Sequence, residues 1–208
     1  MSLDVRGVRK ADRPAAVAIE QPAGRTTAWW GMVMFITTEA AFFAVLLASY
    51  FYVRFSGGGP WPPEGIEDPK LTKPLIMTAL LLSSSAPMVW ADRQVRKGRI
   101  GRTATGVTMS LLLGAAFLVL QAVEYSEKLH MFTWTTNAYG SLFYGITGFH
   151  GFHVAVGLLM MVFVLAGMAR GRYDARRNER VKLVAFYWHF VDGVWIAILS
   201  ALYLSPHL

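Results

Sequence analysis

The sequence predicts an all-α polytopic membrane protein, a bundle of five transmembrane helices. Apolar residues make up 54% of its 208 residues and charged residues only 16%. The charged residues are clumped, which leaves apolar stretches longer than the roughly 18 residues that mark a membrane span. The basic residues also fall mostly on one side of a membrane crossed five times. These observations together exclude an ordinary soluble domain.

The five apolar spans are predicted at about 29–55, 74–91, 103–123, 139–169 and 183–204. The first span carries Glu39 as its only acidic residue, and the long fourth span is expected to tilt. Pro87 lies inside the second span, and we expect the hydroxyls of residues 83–85 to bond the carbonyl groups that it frees. Residues 1–28 are polar, so we expect a cytoplasmic N-terminal tail in front of a transmembrane domain of residues 29–208.

The basic residues give the predicted orientation. One group lies in the tail, after the second span and after the fourth span, at Arg6, Arg9, Lys10, Arg13, Arg25, Arg93, Arg96, Lys97, Arg99, Arg102, Arg170, Arg172, Arg176, Arg177, Arg180 and Lys182. The other side has Arg54, Lys70, Lys73 and Lys128. Because cytoplasmic loops carry the excess of Lys and Arg, the N-terminus is predicted in the cytoplasm and the C-terminus outside. This topology explains the net charge of +7, so we expect no nucleic-acid partner.

Polar side chains inside the spans are costly in hydrocarbon and therefore need a reason. Glu39 lies near the middle of the first span and, unless it is paired, is expected to stay protonated. His150 and His153 share one face of the fourth span, because residues three apart are neighbours on a helix. His189 and Asp192 have the same spacing in the fifth span.

Four more polar or aromatic positions extend this pattern. Gln121, Glu124 and Tyr125 lie together at the end of the third span, and Trp195 follows Asp192 by one turn. Glu124 is expected near the outer surface, some 30 Å from the cytoplasmic face at roughly 1.5 Å per residue. Gly145, Gly148 and Gly151 repeat on one face of the fourth span, where we expect a neighbouring helix to approach closely.

Three interpretations of these polar residues stay open. They can form a buried hydrogen-bond network that locks the helices together. They can form a proton or ion path through Glu39. They can also bind a metal or haem, of which a single haem between His150 or His153 and His189 is the surviving version. The chain has no Cys, which excludes thiolate metal sites, iron–sulfur ligation and c-type haem attachment.

Four motifs resemble subunit III of the haem–copper respiratory oxidases, in its short five-helix bacterial form. They are Thr38-Glu39-Ala40-Ala41-Phe42-Phe43, Gln121-Ala122-Val123-Glu124-Tyr125, Gly148-Phe149-His150-Gly151-Phe152-His153-Val154 with Gly157, and Tyr187-Trp188-His189-Phe190-Val191-Asp192-Gly193-Val194-Trp195. Their order along the chain is that of the family, and together they cover four of the five spans.

The resemblance implies an accessory subunit of a proton-translocating cytochrome c oxidase in the bacterial plasma membrane. Such a subunit stabilises catalytic subunit I, also meets subunit II, binds phospholipid and supports proton uptake, a role that falls on Glu39. It implies no catalytic residue, metal or cofactor in this chain, with haem and copper in the partner subunits. Cytochrome c is the implied electron donor to the complex. A quinol oxidase, or a subunit-III-like accessory protein of a nitric oxide reductase system, is the alternative.

Overall fold

A computed structural model describes residues 25–64, 66, 71–174 and 178–207. The predicted tail is thus outside the described residues as far as residue 24, as are Lys70, Arg176 and Arg177. The structure contains five long helices: α1 (Thr27–Ser56), α2 (Thr72–Arg96), α3 (Ile100–Lys128), α4 (Ala138–Ala169) and α5 (Glu179–Ile198). Helix α5 continues through a π-helical segment, Leu199–Leu204, into a short 3₁₀ turn. Each of the five helices, the fifth taken together with its two end segments, is long and apolar enough to cross a membrane, which confirms the predicted all-α bundle of five spans.

The helices extend beyond the apolar stretches that predict them. Helix α2 continues to Arg96 and α3 to Lys128, past the predicted ends at residues 91 and 123. Helix α1, with 30 residues, is about 45 Å long, whereas the hydrocarbon core is only ~30 Å thick. Helical hydrogen bonding therefore continues past the apolar stretches into the charged last turns of α2 and α3.

Side chains and glycines fix where the helices begin and end. Thr26 accepts a hydrogen bond from the Trp29 amide at 3.2 Å, and Asn137 accepts one from the Gly140 amide at 2.9 Å. Helix α2 is followed by Gly98 with a φ of 69°, a left-handed conformation that favours glycine. These caps satisfy backbone groups that the helix ends leave without intrahelical partners.

Helices α2 to α5 form a four-helix bundle in which chain neighbours pack together and α5 returns to α2. Helix α1 lies outside this bundle against α4 and α5. Arg54 Nη2 donates to the Ser205 carbonyl at 2.9 Å, and Lys73 pairs with Glu127. The first contact joins the end of α1 to the segment after α5, and the second joins the start of α2 to the end of α3, as alternating spans require.

The closest helix approaches differ from those that the glycine spacing predicts. A Cβ at Gly145 would meet nothing within 4 Å, whereas one at Gly151 would lie 3.0 Å from the Gln121 amide. The tightest glycines around α5 are Gly114 and Gly157, where a Cβ would come within 2.6 and 2.8 Å of the Trp188 ring. The predicted close approach at Gly145 is wrong. In the fourth span, the Trp188 ring of α5 packs against Gly157 instead.

The prediction for the serines before Pro87 is also wrong. The hydroxyls of Ser83 and Ser84 donate to the carbonyls of residues 80 and 81, at 2.8 and 2.6 Å. Proline removes the donor to the carbonyl four residues before it, and these two carbonyls lie earlier in the helix than that. Ser110 on α3 donates instead to the Ser84 carbonyl at 2.8 Å. A neighbouring helix therefore supplies a donor beside the proline, and the Ser85 hydroxyl remains for another role.

Candidate functional site

The side chains of Glu39 on α1 and His153 on α4 form a contact that joins α1 to the four-helix bundle. Glu39 Oε2 lies 3.0 Å from His153 Nε2, and His153 Nδ1 lies 2.7 Å from the Phe149 carbonyl. A carbonyl oxygen can only accept a hydrogen bond, so Nδ1 carries a hydrogen. One proton is therefore shared between Glu39 and Nε2, either on a neutral carboxyl or on a charged imidazole. The sequence alone leaves Glu39 without a partner, and the structure supplies one.

Aromatic side chains pack around this pair, and one of them, Tyr187, donates its hydroxyl hydrogen to the His153 carbonyl at 3.1 Å. The Phe43 ring centroid lies 5.1 Å from that of His153, and Phe42 packs on Phe149 at 5.0 Å. The Glu39 side chain keeps 25% of its surface exposed on the flank of the bundle. The Glu39 carboxyl thus has His153 as its partner on one side and is exposed on the other. Such an arrangement can take up and release a proton.

His150, one turn before His153, lies in a different setting. Its ring is fully buried, and neither nitrogen has a hydrogen-bond partner among the described residues. The ring stacks on Trp195 at 5.2 Å and meets Phe117 edge-on at 5.8 Å. The indole of Trp195 donates to the Thr78 hydroxyl at 2.9 Å. His150 and Trp195 are thus brought together by ring packing, and not by a hydrogen bond between them.

A second polar contact joins α3 to α4. Gln121 Nε2 donates to the Thr147 carbonyl at 2.7 Å, and the Tyr125 hydroxyl lies 2.5 Å from Thr147 Oγ1. The bare backbone at Gly151 leaves room for the Gln121 amide. Thr147 is absent from the predicted site, because a lone threonine in an apolar span carries no signal that separates it from packing residues.

Glu124 lies in a third polar contact, near the far end of α3. Its Oε1 accepts a hydrogen bond from the Tyr203 hydroxyl at 3.3 Å and lies 3.5 Å from Lys128 Nζ. The Lys128 ammonium also sits 4.7 Å above the Phe143 ring centroid. Buried charge is stabilised here by an ion pair, a hydroxyl and a cation–π contact. Sequence reasoning missed Lys128, although its spacing of four residues from Glu124 predicts the pair.

His189 and Asp192 meet on α5, as their spacing predicts, and Ser85 of α2 joins them. Ser85 Oγ donates to Asp192 Oδ2 and lies 3.0 Å from His189 Nδ1. His189 is exposed to a groove of about 1100 Å³, whereas Asp192 is buried and its Oδ1 has no partner in the described part of the chain. Nearby, the Trp188 indole donates to Ser84 Oγ at 2.8 Å.

The predicted site residues therefore divide into separate contacts and do not form one network. His153 lies beside Glu39, His150 lies among aromatic rings, and His189 lies beside Ser85. Within the described ranges, no group of three or more His, Asp or Glu side chains could hold a metal ion. The polar contacts are thus pairwise, and most of them join two helices.

Comparison with known proteins gives one consistent family. A family model described as cytochrome c oxidase subunit III matches residues 19–206. Cytochrome c oxidase subunit 3 of Coturnix japonica is 35% identical over 179 residues, which cover 84% of this chain and 68% of the relative. The subunit 3 of Pelomedusa subrufa is 33% identical over 187 residues, covering 88% and 71%. That of Drosophila yakuba is 35% identical over 179 residues, covering 84% and 68%.

Proposed function

Because this chain belongs to the cytochrome c oxidase subunit III family, we propose that it stabilises catalytic subunit I and supports proton uptake into it. Membership makes the chain a membrane-embedded subunit of a cytochrome c oxidase complex of a respiratory chain. The observation that carries the proton-uptake proposal is the 3.0 Å contact between Glu39 Oε2 and His153 Nε2.

The proposed stabilising role rests on how the bundle treats its polar groups. The carboxyls of Glu39, Glu124 and Asp192 are each turned toward a partner within the chain. The outward faces of the helices, by contrast, are largely apolar, with exposed side chains such as Phe152 and Phe163. A preorganised apolar surface can dock against another membrane subunit at little conformational cost. Subunit I is the proposed main partner, with further contact to subunit II.

The stabilising role has a direct test. Oxidase purified with and without this chain is followed during continuous turnover until activity decays. We expect the complex that lacks the chain to inactivate within fewer turnovers while its initial rate stays close to that of the full complex. Equal lifetimes for the two preparations would remove this part of the proposal.

The proton-uptake role depends on a protonatable Glu39 that reagents can reach from the membrane. A hydrophobic carbodiimide modifies protonated carboxyls in apolar surroundings, so we expect it to label Glu39 and to slow proton uptake by the complex. The Glu39→Gln variant is the control, because it removes the carboxyl and should become insensitive to the reagent. Slowing of similar size in that variant would place the effect of the reagent elsewhere.

Haem and copper are proposed to lie in the partner subunits, with no redox centre in this chain. The support is the donor geometry, because the span histidines are engaged or enclosed singly. After dissociation of the complex in detergent, this chain should show no haem absorption. A haem spectrum that follows the isolated chain would contradict this assignment.

Bound phospholipid is proposed along the outer side of α1. There Trp30, Met34 and Val45 are exposed and apolar, and Arg25 lies over the Trp29 ring at the helix start. A cation at the head-group level beside an apolar face fits an anionic phospholipid. Native mass spectrometry of the complex should find retained lipid, and Arg25→Gln should reduce it; unchanged retention would argue against this site.

The orientation and location complete the proposal. Arg93, Arg96, Arg99 and Arg170 lie at the end of the bundle that carries the α1 N-terminus, which supports a cytoplasmic N-terminus. The proposed location is a bacterial plasma membrane. A reporter enzyme that works only outside the cytoplasm should be active when it is fused to the C-terminus, and a reporter that works only inside should be inactive there. Cytochrome c is the proposed electron donor, since the matching relatives are cytochrome c oxidase subunits. These matches favour that donor over the quinol oxidase and nitric oxide reductase alternatives.

A further inference from the structure

A groove of about 1100 Å³ opens at the basic end of the bundle, between the start of α1, the end of α2 and the start of α5. Its charged lining consists mostly of cationic side chains, with two acidic ones: Arg25, Arg96, Arg172, Arg180, Lys182, Asp92 and Glu179. Val89 and Ala185 form apolar wall below them, and His189 also lines the groove. The groove therefore leads from charged groups at the membrane surface to an ionisable side chain inside the span.

His189 and Asp192 differ sharply in exposure although one helical turn separates them. The His189 side chain keeps 40% of its surface exposed, whereas the Asp192 side chain keeps 7%. His189 lies seven residues beyond Lys182, so it is about 10 Å deeper in the membrane. Asp192 lies another turn deeper. Water in the groove can thus reach the imidazole, but it cannot reach the carboxyl directly.

The Ser85 hydroxyl connects these two groups in a defined direction. While Asp192 is ionised, the hydroxyl donates its one hydrogen to Asp192 Oδ2, so it can only accept from His189. His189 Nδ1, 3.0 Å from Ser85 Oγ, must then carry a hydrogen. The direct separation between His189 Nδ1 and Asp192 Oδ2 is 3.8 Å, too long for a hydrogen bond. The serine hydroxyl is therefore the only link between the ring and the carboxyl among the described residues.

Asp192 is suited to receive a proton. Its Oδ1 is buried and has no hydrogen-bond partner among the residues that the structure describes. A carboxylate with an unpaired buried oxygen is costly, and a proton removes the charge that creates the cost. We propose that His189, Ser85 and Asp192 form a proton relay, by which a proton from the basic groove reaches a buried carboxyl.

The proton balance of the relay is simple. A proton from groove water binds His189 Nε2, and the ring passes its Nδ1 proton to Ser85 Oγ. The hydroxyl at the same time passes its own proton to Asp192 Oδ2. The products are a neutral imidazole protonated at Nε2, an intact hydroxyl and a neutral carboxyl. No redox partner is needed, and reversal of the same steps returns the proton.

The groups facing the relay come from every neighbouring element. Helix α2 presents Asp92, which accepts from Arg96 Nη2 at 2.7 Å, and α5 presents Glu179, Arg180 and Lys182. The segment before α1 contributes Arg25, and the connection before α5 contributes Arg172 and Tyr173. The carboxylates of Asp92 and Glu179 are the acidic groups that line the groove. The contribution of the relay to oxidase turnover rests on the proposed function above, but the relay itself does not.

The relay is tested in the resting complex by infrared spectroscopy of the Asp192 carboxyl. Asp192→Asn identifies its band, and transfer into deuterated buffer then gives the exchange rate of its proton. In Ser85→Ala and His189→Phe we expect exchange to slow by about 10²-fold, the lower end of what a positioned proton-transfer group contributes. Ser85→Thr keeps the hydroxyl and should exchange like the parent chain. Unchanged exchange in both broken variants, or no protonated Asp192 at any pH, would overturn the relay.

The water path is tested separately with cysteine, which the chain lacks. Val89→Cys places a thiol in the groove, and Trp90→Cys places one at nearly the same depth on the exposed flank. A charged, membrane-impermeant thiol reagent should label the first and not the second, and its adduct should slow Asp192 exchange. If the Val89→Cys variant assembles but its thiol stays unlabelled, lipid fills the groove and the proposal is overturned. Both tests use resting enzyme, so their outcome is independent of whether Glu39 supports turnover.

Discussion

Nε2 of His153 and Oε2 of Glu39 lie 3.0 Å apart, while the other ring nitrogen of His153 is held by a backbone carbonyl. This arrangement fixes the tautomer of the neutral ring and leaves a single mobile proton in the pair. It also joins the peripheral helix α1 to the four-helix bundle. One contact therefore combines a structural role with a chemical one, and substitutions can separate the two.

Replacing Glu39 by Gln should keep the structural role and remove the mobile proton. The Gln amide can donate to Nε2 of the neutral His153 ring, so assembly and thermal stability should stay close to those of the parent complex. Proton uptake should become slower. Glu39→Ala, which removes both functions, should also weaken retention of this chain. The two variants are compared by subunit composition after purification and by proton-uptake rate. Lost assembly in Glu39→Gln would assign the residue to packing.

Replacing His150 by Phe should leave the complex as stable as the parent or more stable. The buried ring has no hydrogen-bond partner among the described residues, and an unsatisfied buried polar group costs about 1–3 kcal/mol. Phenylalanine keeps the stacking on Trp195 without that cost. Thermal denaturation of the purified complex measures the difference. His150→Ala, which leaves a cavity, should be destabilising, and a stability loss in His150→Phe would reveal a polar function for the ring.

Replacing Gly114 by Ala should destabilise the bundle by about 1–3 kcal/mol, the usual cost of overpacking a filled core. A methyl group there would lie 2.6 Å from the Trp188 ring, which a second glycine, Gly157, confines from α4. Gly145→Ala is the matched control, since a Cβ at Gly145 meets nothing within 4 Å. Melting temperatures of the two variants should differ clearly; similar values would mean that Trp188 can move aside.

Replacing Lys128 by Met should destabilise the chain by about 3–5 kcal/mol, because it leaves the buried carboxylate of Glu124 without its cation. The double variant Glu124→Gln with Lys128→Met should recover most of the loss. Lys73→Met, which breaks an exposed ion pair with Glu127, should cost only about 0–1 kcal/mol. Chemical denaturation in detergent can rank the three variants. Equal effects of Lys128→Met and Lys73→Met would show that Glu124 is not held as a buried charge.

The helices and several of the residue pairs on single helices were predictable from the sequence, because apolar length and helical spacing are local properties. The proximity of His189 to Asp192 is such a case. The partner of Glu39 was not predictable, since nothing local shows that α1 packs on α4 and not on another helix. The contact of Ser85 with α5 was missed for the same reason, because its hydroxyl was expected to bond a carbonyl of its own helix. Contacts between helices depend on tertiary packing, which the spacing of residues along one helix does not contain.

We propose above that this chain is a non-redox subunit docked to the catalytic subunit of a cytochrome c oxidase. The most direct measurement is purification through a tag on this chain, followed by the intact mass and optical spectrum of the product before and after dissociation. We expect recovery of a haem–copper subunit with the chain and a colourless chain after dissociation. Recovery of the chain without a haem–copper subunit, or haem bound to the separated chain, would contradict it.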